Sequence, residues 1–288
     1  MAPGKSKRTA GSGSTGRRRV RVAIAGALGR MGRAIQAVAA SDPGVAIVAG
    51  WERPGHAALG QDLGSAAGMP ALGVPLSAGP VADGVDVIID FTAPESTLAT
   101  LALAAGSRAR PGVVIGTTGF TPAQLRQVSA ASRRLRVVLA SNYSVGMNLL
   151  WKAIAMVAAV TGEDYDVEVV EAHHHHKKDS PSGTAVTTAE VLARALDRDL
   201  ASWARYGRPR GNIGPRDRRE IGLHTVRGGD IVGDHTVLFA GPGERLEFKH
   251  QAHSRENFAR GAVKAGLWLA AVGRRPGLYS MAQVLGLE

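Results

Sequence analysis

The strongest constraint on the fold is an apolar run that stops at a glycine. Val20-Arg-Val-Ala-Ile-Ala25 leads directly into Gly26-Ala27-Leu28-Gly29-Arg30-Met31-Gly32 and then Arg33-Ala-Ile-Gln-Ala-Val-Ala-Ala40. Strand, turn and helix follow one another with no spare residue. The first glycine permits the tight turn and the second lets main chain approach a pyrophosphate. The third lets the helix pack closely on the strand, with its unpaired N–H groups aimed at phosphate. A lone glycine pattern is weak, but a second apolar run, Val45-Ala-Ile-Val-Ala-Gly50, follows and ends in Trp51-Glu52-Arg53. That puts an acidic residue about twenty positions beyond the last glycine, where a ribose-binding carboxylate belongs. Glu52 suits a free 2′-hydroxyl, whereas Arg53 and Arg30 suit a 2′-phosphate, so the residues are compatible with NADH and NADPH alike.

Further strands continue in order. Val85-Asp-Val-Ile-Ile-Asp90 is nearly continuous apolar, as expected of a strand covered on both faces, and it runs into Phe91-Thr-Ala-Pro-Glu-Ser-Thr97. Val113-Val-Ile115 gives Gly116-Thr117-Thr118-Gly-Phe120, and Val137-Val-Leu-Ala140 gives Ser141-Asn142-Tyr143-Ser-Val-Gly146. Each ends in a polar or glycine-rich loop. The expected fold is α/β, an N-terminal Rossmann-type doubly wound parallel sheet whose carboxyl-end loops lie along one edge. Gly26 to Met31, Gly116 to Thr118 and Ala140 to Tyr143 should then face a common crevice that holds the dinucleotide.

After Val145 the pattern changes. A helix is expected from about Gly146 to Val160, then an alternating, half-buried strand Tyr165-Asp-Val-Glu-Val-Val-Glu171 and a crossing helix Ser182 to Leu196. Three short strands follow, Glu220 to Val226, Gly233 to Phe239 and Glu244 to His250, separated by glycine and aspartate turns. The expectation is a second α+β domain with an open, antiparallel-rich mixed sheet able to associate with copies of itself. Arg255 to Val272 and Met281 to Leu287 read as helices packing back on the first domain. The expected division is a tail over 1–18, a dinucleotide-binding domain over 19–144 and 254–288, and a substrate-binding and oligomerisation domain over 145–253.

Between the strand and the crossing helix lies Glu171-Ala-His173-His174-His175-His176-Lys177-Lys-Asp-Ser-Pro-Ser182-Gly183-Thr184-Ala185. Four imidazoles and two ammonium groups precede a helix start. Imidazole moves protons near neutral pH, lysine protonates or holds an anionic intermediate, and the free N–H groups at the helix start opened by Ser182, Gly183 and Thr184 can cradle a carboxylate. Together they read as an anion-binding catalytic loop. An expression tag would sit at a chain end. Consecutive histidines in a loop or strand point in alternate directions, which disfavours a metal centre, and none is expected.

These segments, in this order, resemble the 4-hydroxy-tetrahydrodipicolinate reductase (dihydrodipicolinate reductase) family. The resemblance spans Arg19 to Leu287 and rests on Gly-Ala-Leu-Gly-Arg-Met-Gly, Asp-Phe-Thr, Gly-Thr-Thr-Gly-Phe, Asn-Tyr-Ser-Val-Gly, the histidine-lysine segment and Thr-Val-Arg-Gly-Gly-Asp-Ile-Val-Gly. It implies that His173 donates or accepts a proton, that His174 contacts substrate, that Lys177 donates a proton, and that Gly183 and Thr184 bind a substrate carboxylate. It further implies NAD(P)H-dependent reduction of a cyclic dicarboxylate in lysine biosynthesis, a homotetramer, a hinge closing two domains, and a cytoplasmic location. His175 and Ser180 depart from residues common in the family, and neither change removes an implied catalytic group.

Charge and composition narrow the remaining classes. Residues 1–21 hold seven Lys or Arg and no acid, so they supply seven of the net +11 and leave +4 for the rest. The tail's Gly, Ser, Thr and Lys content predicts disorder and lacks the apolar stretch of a secretory signal, although its composition also suits a transit peptide. Neither a nucleic-acid nor a membrane partner is expected. With no cysteine in the chain, disulfides and thiol nucleophiles are excluded. Two other classes stand beside the reductase: another two-domain nicotinamide-dependent oxidoreductase acting on a sugar or amino acid, and a non-catalytic dinucleotide sensor. Neither needs both proton donors and a dicarboxylate cradle.

Overall fold

The structure is a computed structural model and describes residues 18–288, so most of the basic tail lies outside the described residues. Along the chain run β1 (Val20–Ala25), α1 (Arg30–Ser41), β2 (Val45–Trp51), α2 (Leu63–Ala66), β3 (Leu76–Ser77), β4 (Val87–Asp90), α3 (Pro94–Gly106) and β5 (Gly112–Ile115). Next come α4 (Pro122–Ser132), β6 (Arg136–Leu139), α5 (Val145–Thr161), β7 (Asp166–His173), α6 (Gly183–Ala195), α7 (Leu200–Trp203) and β8 (Ala204–Tyr206). The chain closes with β9 (Ile221–Arg227), β10 (Gly233–Gly241), β11 (Glu244–Ala252), α8 (Glu256–Leu269), β12 (Gly277–Tyr279) and α9 (Met281–Leu285).

The first sheet is parallel throughout, in the order β12-β6-β5-β4-β1-β2-β3. Strands β4 and β5 are buried along their whole length, which explains why they read as continuous apolar runs. One face packs Val22, Ile24 and Ile89 against α1 and α8. The other packs Ala23, Ile88 and Val113 against α3 and α4. Strand order reverses at β1, between β2 and β4, and a doubly wound sheet opens its ligand crevice at that switch point.

The chain leaves this sheet after β6 and returns through α8 and β12. Between them lies a five-stranded sheet, β11-β10-β7-β9-β8, with α5 and α6 covering one face around Val167, Val169, Val237 and Phe239. This sheet is less antiparallel than its hairpin signals suggest. β10 runs antiparallel to β7 and β11, but β7, β9 and β8 are mutually parallel. The reason is connection length: α6 and the long segment after it carry the chain back to the starting edge of β7, and that crossover makes β9 parallel. Strand β7 also continues two residues past Glu171, because His173 pairs with Arg227 of β9. The first histidine of the cluster therefore sits on a strand, and the loop begins at His174.

Candidate active site

Glycines shape the floor of the crevice. Gly26 turns the chain out of β1 at φ +59°, a conformation few other residues adopt. At Gly32 a Cβ would lie 2.2 Å from the Gly26 carbonyl oxygen, so helix α1 can approach the turn this closely only without a side chain. Gly29 caps α1 without any side-chain hydrogen bond, which leaves the first N–H groups of the helix for an outside anion. A dinucleotide pyrophosphate fits that cradle. Glu52, at the end of β2, accepts from the Leu28 main-chain N–H at 2.8 Å. It lines a cavity of about 530 Å³ with Gly26, Arg53, Pro80 and Thr92, which suits the ribose end of the same ligand. Ala27 is fully buried and donates its N–H to the Trp51 carbonyl.

A second cavity, of about 380 Å³, adjoins it at Gly26 and lies between the two sheets. Gly29, Arg30 and Met31 line it from the glycine turn, and Ser141, Asn142 and Tyr143 from the loop after β6. His173, His174, Lys177 and Thr184 line it from the second domain. Of the other residues expected at the dinucleotide, Gly116, Thr117, Thr118 and Ala140 line neither cavity. Gly116 lies under the Phe91 ring, and Thr117 is buried, hydrogen-bonded to the Thr92 N–H and to Thr97. Thr118 is exposed on the same loop. The two domains touch directly here: the Asn142 amide donates to Thr184 Oγ1 at 3.1 Å, and Ser141 and Thr187 hydroxyls lie 3.0 Å apart.

The start of α6 leaves main-chain N–H groups without partners in the helix. Ser182 is the N-cap, with its hydroxyl accepting from the Ala185 N–H at 3.2 Å. Gly183 and Thr184 occupy the first helical positions, whose N–H groups have no place in the helix ladder. The Ser182 hydroxyl also meets His235 Nε2 at 3.2 Å. Burial, reinforced by nearby His173, pushes His235 down to about 3, so it is neutral at physiological pH.

His173 is buried beside its own strand neighbour: its Nδ1 donates to Glu171 Oε2 at 2.5 Å. Lys177 reaches the Asp179 carboxylate at 2.8 Å. The loop between them is fastened to the β9–β10 connection, with the His174 N–H donating to Ile231 O at 2.7 Å and His175 Nδ1 to Gly229 O at 2.9 Å. His174 Nδ1 is buried without a partner among the described residues, and burial, then Arg255 and Arg30, press its pKa down. Arg255 is lowered likewise, by burial and by Arg30. Cationic groups from both domains thus crowd one cavity. A bound anion would relieve them.

Arg255, Phe258, Val232 and Phe91 also line this cavity and were missed by sequence reasoning. Arg255 had a signal, since it stands at the N-cap of α8 beside the return to the first domain. Glu171 and Arg227 were missed as well. In sequence they are merely the ends of two strands.

Such a fold and site define a two-domain nicotinamide-nucleotide reductase acting on a small molecule. Comparison with known proteins makes this specific. Residues 20–143 match the family described as Dihydrodipicolinate reductase, N-terminus, and residues 146–285 match Dihydrodipicolinate reductase, C-terminus. The chain belongs to the dihydrodipicolinate reductase family. It is 51% identical to 4-hydroxy-tetrahydrodipicolinate reductase of Pseudomonas fluorescens (strain Pf0-1) over 271 residues, covering 93% of this chain and 99% of that protein. The reductase of the same name from Thiobacillus denitrificans (strain ATCC 25259 / T1) is also 51% identical, with the same coverage. A solved structure described as dipicolinate-bound dihydrodipicolinate reductase from Paenisporosarcina sp. TG-14 superposes with a TM-score of 0.70 at 27% identity, covering 92% of this chain and 98% of that one.

Proposed function

We propose that this chain reduces 4-hydroxy-tetrahydrodipicolinate to tetrahydrodipicolinate with loss of water, using NADPH or NADH, in lysine biosynthesis through the diaminopimelate route. The observation that carries the proposal is the meeting of His173, His174 and Lys177 with Arg30, Thr184 and Arg255 around one cavity at the carboxyl end of the parallel sheet. The reaction consumes one reduced dinucleotide and one proton, and releases one oxidised dinucleotide and one water. When bound, the nicotinamide supplies the hydride. Everything else falls to this chain's residues.

The helix start at Gly183 and Thr184 binds one substrate carboxylate, and His174 with Arg255 faces the other. Lys177 and His173 handle the protons: one protonates the departing hydroxyl as a neighbouring ring carbon gives up its own proton, and one reaches the ring position that gains electron density as hydride arrives, so a single proton is consumed net. Gly29, Arg30 and Met31 hold the pyrophosphate. Glu52 would give up the Leu28 N–H to meet a ribose hydroxyl, and Arg53 would meet a 2′-phosphate, which supports use of both cofactors. Arg30 contributes charge to both ligands.

Following the absorbance of reduced nicotinamide tests the reading, with substrate generated in situ from pyruvate and aspartate semialdehyde. Turnover should fall roughly 100- to 10,000-fold in Lys177→Ala and in His173→Ala, with cofactor affinity retained. Cofactor binding without turnover in the unaltered protein would instead indicate a sensor. The same reading includes a homotetramer built on the second sheet, whose face opposite α5 and α6 carries Val170, Leu238 and the exposed Val226. Light scattering on Val226→Glu should show dissociation, and an unchanged mass would place the contact elsewhere.

A further inference from the structure

We propose that Glu171 is the positioning residue of this site: its one carboxylate accepts hydrogen bonds from His173 Nδ1–H and from the Ser182 main-chain N–H together, setting the histidine's tautomer and the placement of the carboxylate-binding helix start. This rests on the reading of His173 as a proton-transfer group. Glu171 is 1% exposed and is surrounded on every side. Its Oε2 accepts from His173 Nδ1 at 2.5 Å and from Arg227 Nη1 at 2.9 Å. Its Oε1 accepts from Arg227 Nη2 at 2.9 Å, from the Ser182 N–H at 3.0 Å and from Thr225 Oγ1 at 3.3 Å.

Sheet register makes this convergence possible. Thr225 of β9 and His235 of β10 are the cross-strand partners of Glu171, and Arg227 is the partner of His173. Burial alone would raise the Glu171 carboxyl, but the hydrogen bonds from His173, Arg227 and Ser182 outweigh it and hold it at about 2. An ionised carboxylate is acceptor-only, so the proton in the bond to His173 belongs to Nδ1. Nε2 is thereby left to face away from Glu171. It has room because position 233 is glycine: a Cβ there would stand 3.0 Å from Nε2. His235, packed edge-on with ring centroids 5.2 Å apart, closes another side of the imidazole and is neutral, so it does not compete for Glu171 as a second cation.

Arg227 extends the device to the loop. Besides its paired bonds to Glu171, it donates from Nη2 to the Asp179 carbonyl at 2.6 Å. The strand end, the histidine-lysine loop and the helix start therefore share one anchor. A purely structural ion pair would order the loop without affecting which imidazole nitrogen carries the proton. A positioning residue must do both.

The test uses the full-length protein with nitrogen-labelled histidine, read by long-range nitrogen–proton spectra. In the unaltered protein His173 should be protonated at Nδ1; an Nε2-protonated neutral ring would overturn the proposal without any variant. In Glu171→Gln the ring should redistribute toward Nε2–H. There kcat should fall roughly 100- to 10,000-fold, the range for lost general acid–base assistance, while KM rises for the dicarboxylate and not for the dinucleotide. In the double variant Glu171→Gln/His173→Ala the loss in kcat should be no greater than in His173→Ala alone, because Glu171 acts on turnover through the imidazole, while the rise in KM persists. Additive losses would reduce Glu171 to a structural role. Full turnover in His173→Ala would overturn the proton-transfer reading itself. Its collapse there, with an unchanged tautomer in Glu171→Gln, would overturn only the positioning inference.

Discussion

Two carboxyls buried at or near the ends of core strands, one in each domain, are treated in opposite ways. Asp90 closes β4 at the cofactor crevice and is wholly buried. Its Oδ1 accepts from the Thr92 N–H at 3.0 Å and the Thr92 hydroxyl at 2.6 Å, while Oδ2 has no partner among the described residues. Burial pushes Asp90 up, against hydrogen bonds from threonines that only partly offset it. Glu171 is equally buried, but Arg227 and His173 turn the balance and hold it at about 2. The contrast shows how the two halves of the site are built. Asp90 is met by a main-chain N–H and hydroxyls, whereas Glu171 sits among full charges whose partners must all be present.

Removing a partner on the charged side is expected to have the largest effect. Arg227→Met strands an ionised Glu171 in the interior and should destabilise the protein by about 3–5 kcal/mol, as for other broken buried pairs. Urea unfolding measures this, and a loss below about 1 kcal/mol would mean the carboxylate finds water or another cation.

On the main-chain side the failure should be steric. Gly32→Ala brings its Cβ to 2.2 Å from the Gly26 oxygen, where backbone must move. Cofactor titration by fluorescence should show affinity reduced roughly 10- to 100-fold, about 1.4–2.7 kcal/mol, with thermal unfolding shifted by less than in Arg227→Met. Undiminished cofactor affinity would show that the close helix approach is dispensable.

Acid should act on the second domain first. Glu171 stabilises the fold fully above its ordinary value of 4.5, and that contribution disappears as pH falls from there toward about 2. His235, held near 3 against an ordinary 6.5, adds a further loss, because below 6.5 the unfolded chain takes up a proton that the folded chain refuses until about 3. Stability measured across these two windows should therefore decline in two stages, and His235→Gln should remove only the upper one.

Asp90→Asn should matter least. A group already pushed toward neutrality loses little when made permanently neutral, so a change within about 1 kcal/mol is expected in the same urea assay. A loss comparable to that of Arg227→Met would mean that an ionised Asp90 holds the Thr92 and Thr117 loops.

Legibility in the sequence followed the range of the interactions. Gly26, Gly29 and Gly32 were readable because a turn and a helix start are decided within a few residues, and β4 and β5 because burial on both faces leaves an unbroken apolar run. The segment from His173 to Thr184 was readable because its proton carriers and its helix start are contiguous. Short edge strands β3, β8 and β12 left no periodic signal, since two or three residues cannot show one. Their pairing comes from neighbouring strands.

A parallel sheet with a glycine cradle, a second domain and a loop rich in proton donors could be read from the residue order, because each depends on local conformation and patterning. Tertiary structure decided which strands run parallel in the second sheet, and with that the register placing Arg227 opposite His173 and Thr225 opposite Glu171. It also decided that Arg255 returns from the far end of the chain to the same cavity. Such pairings join residues tens of positions apart, and only the packing of strands and helices brings them to one face.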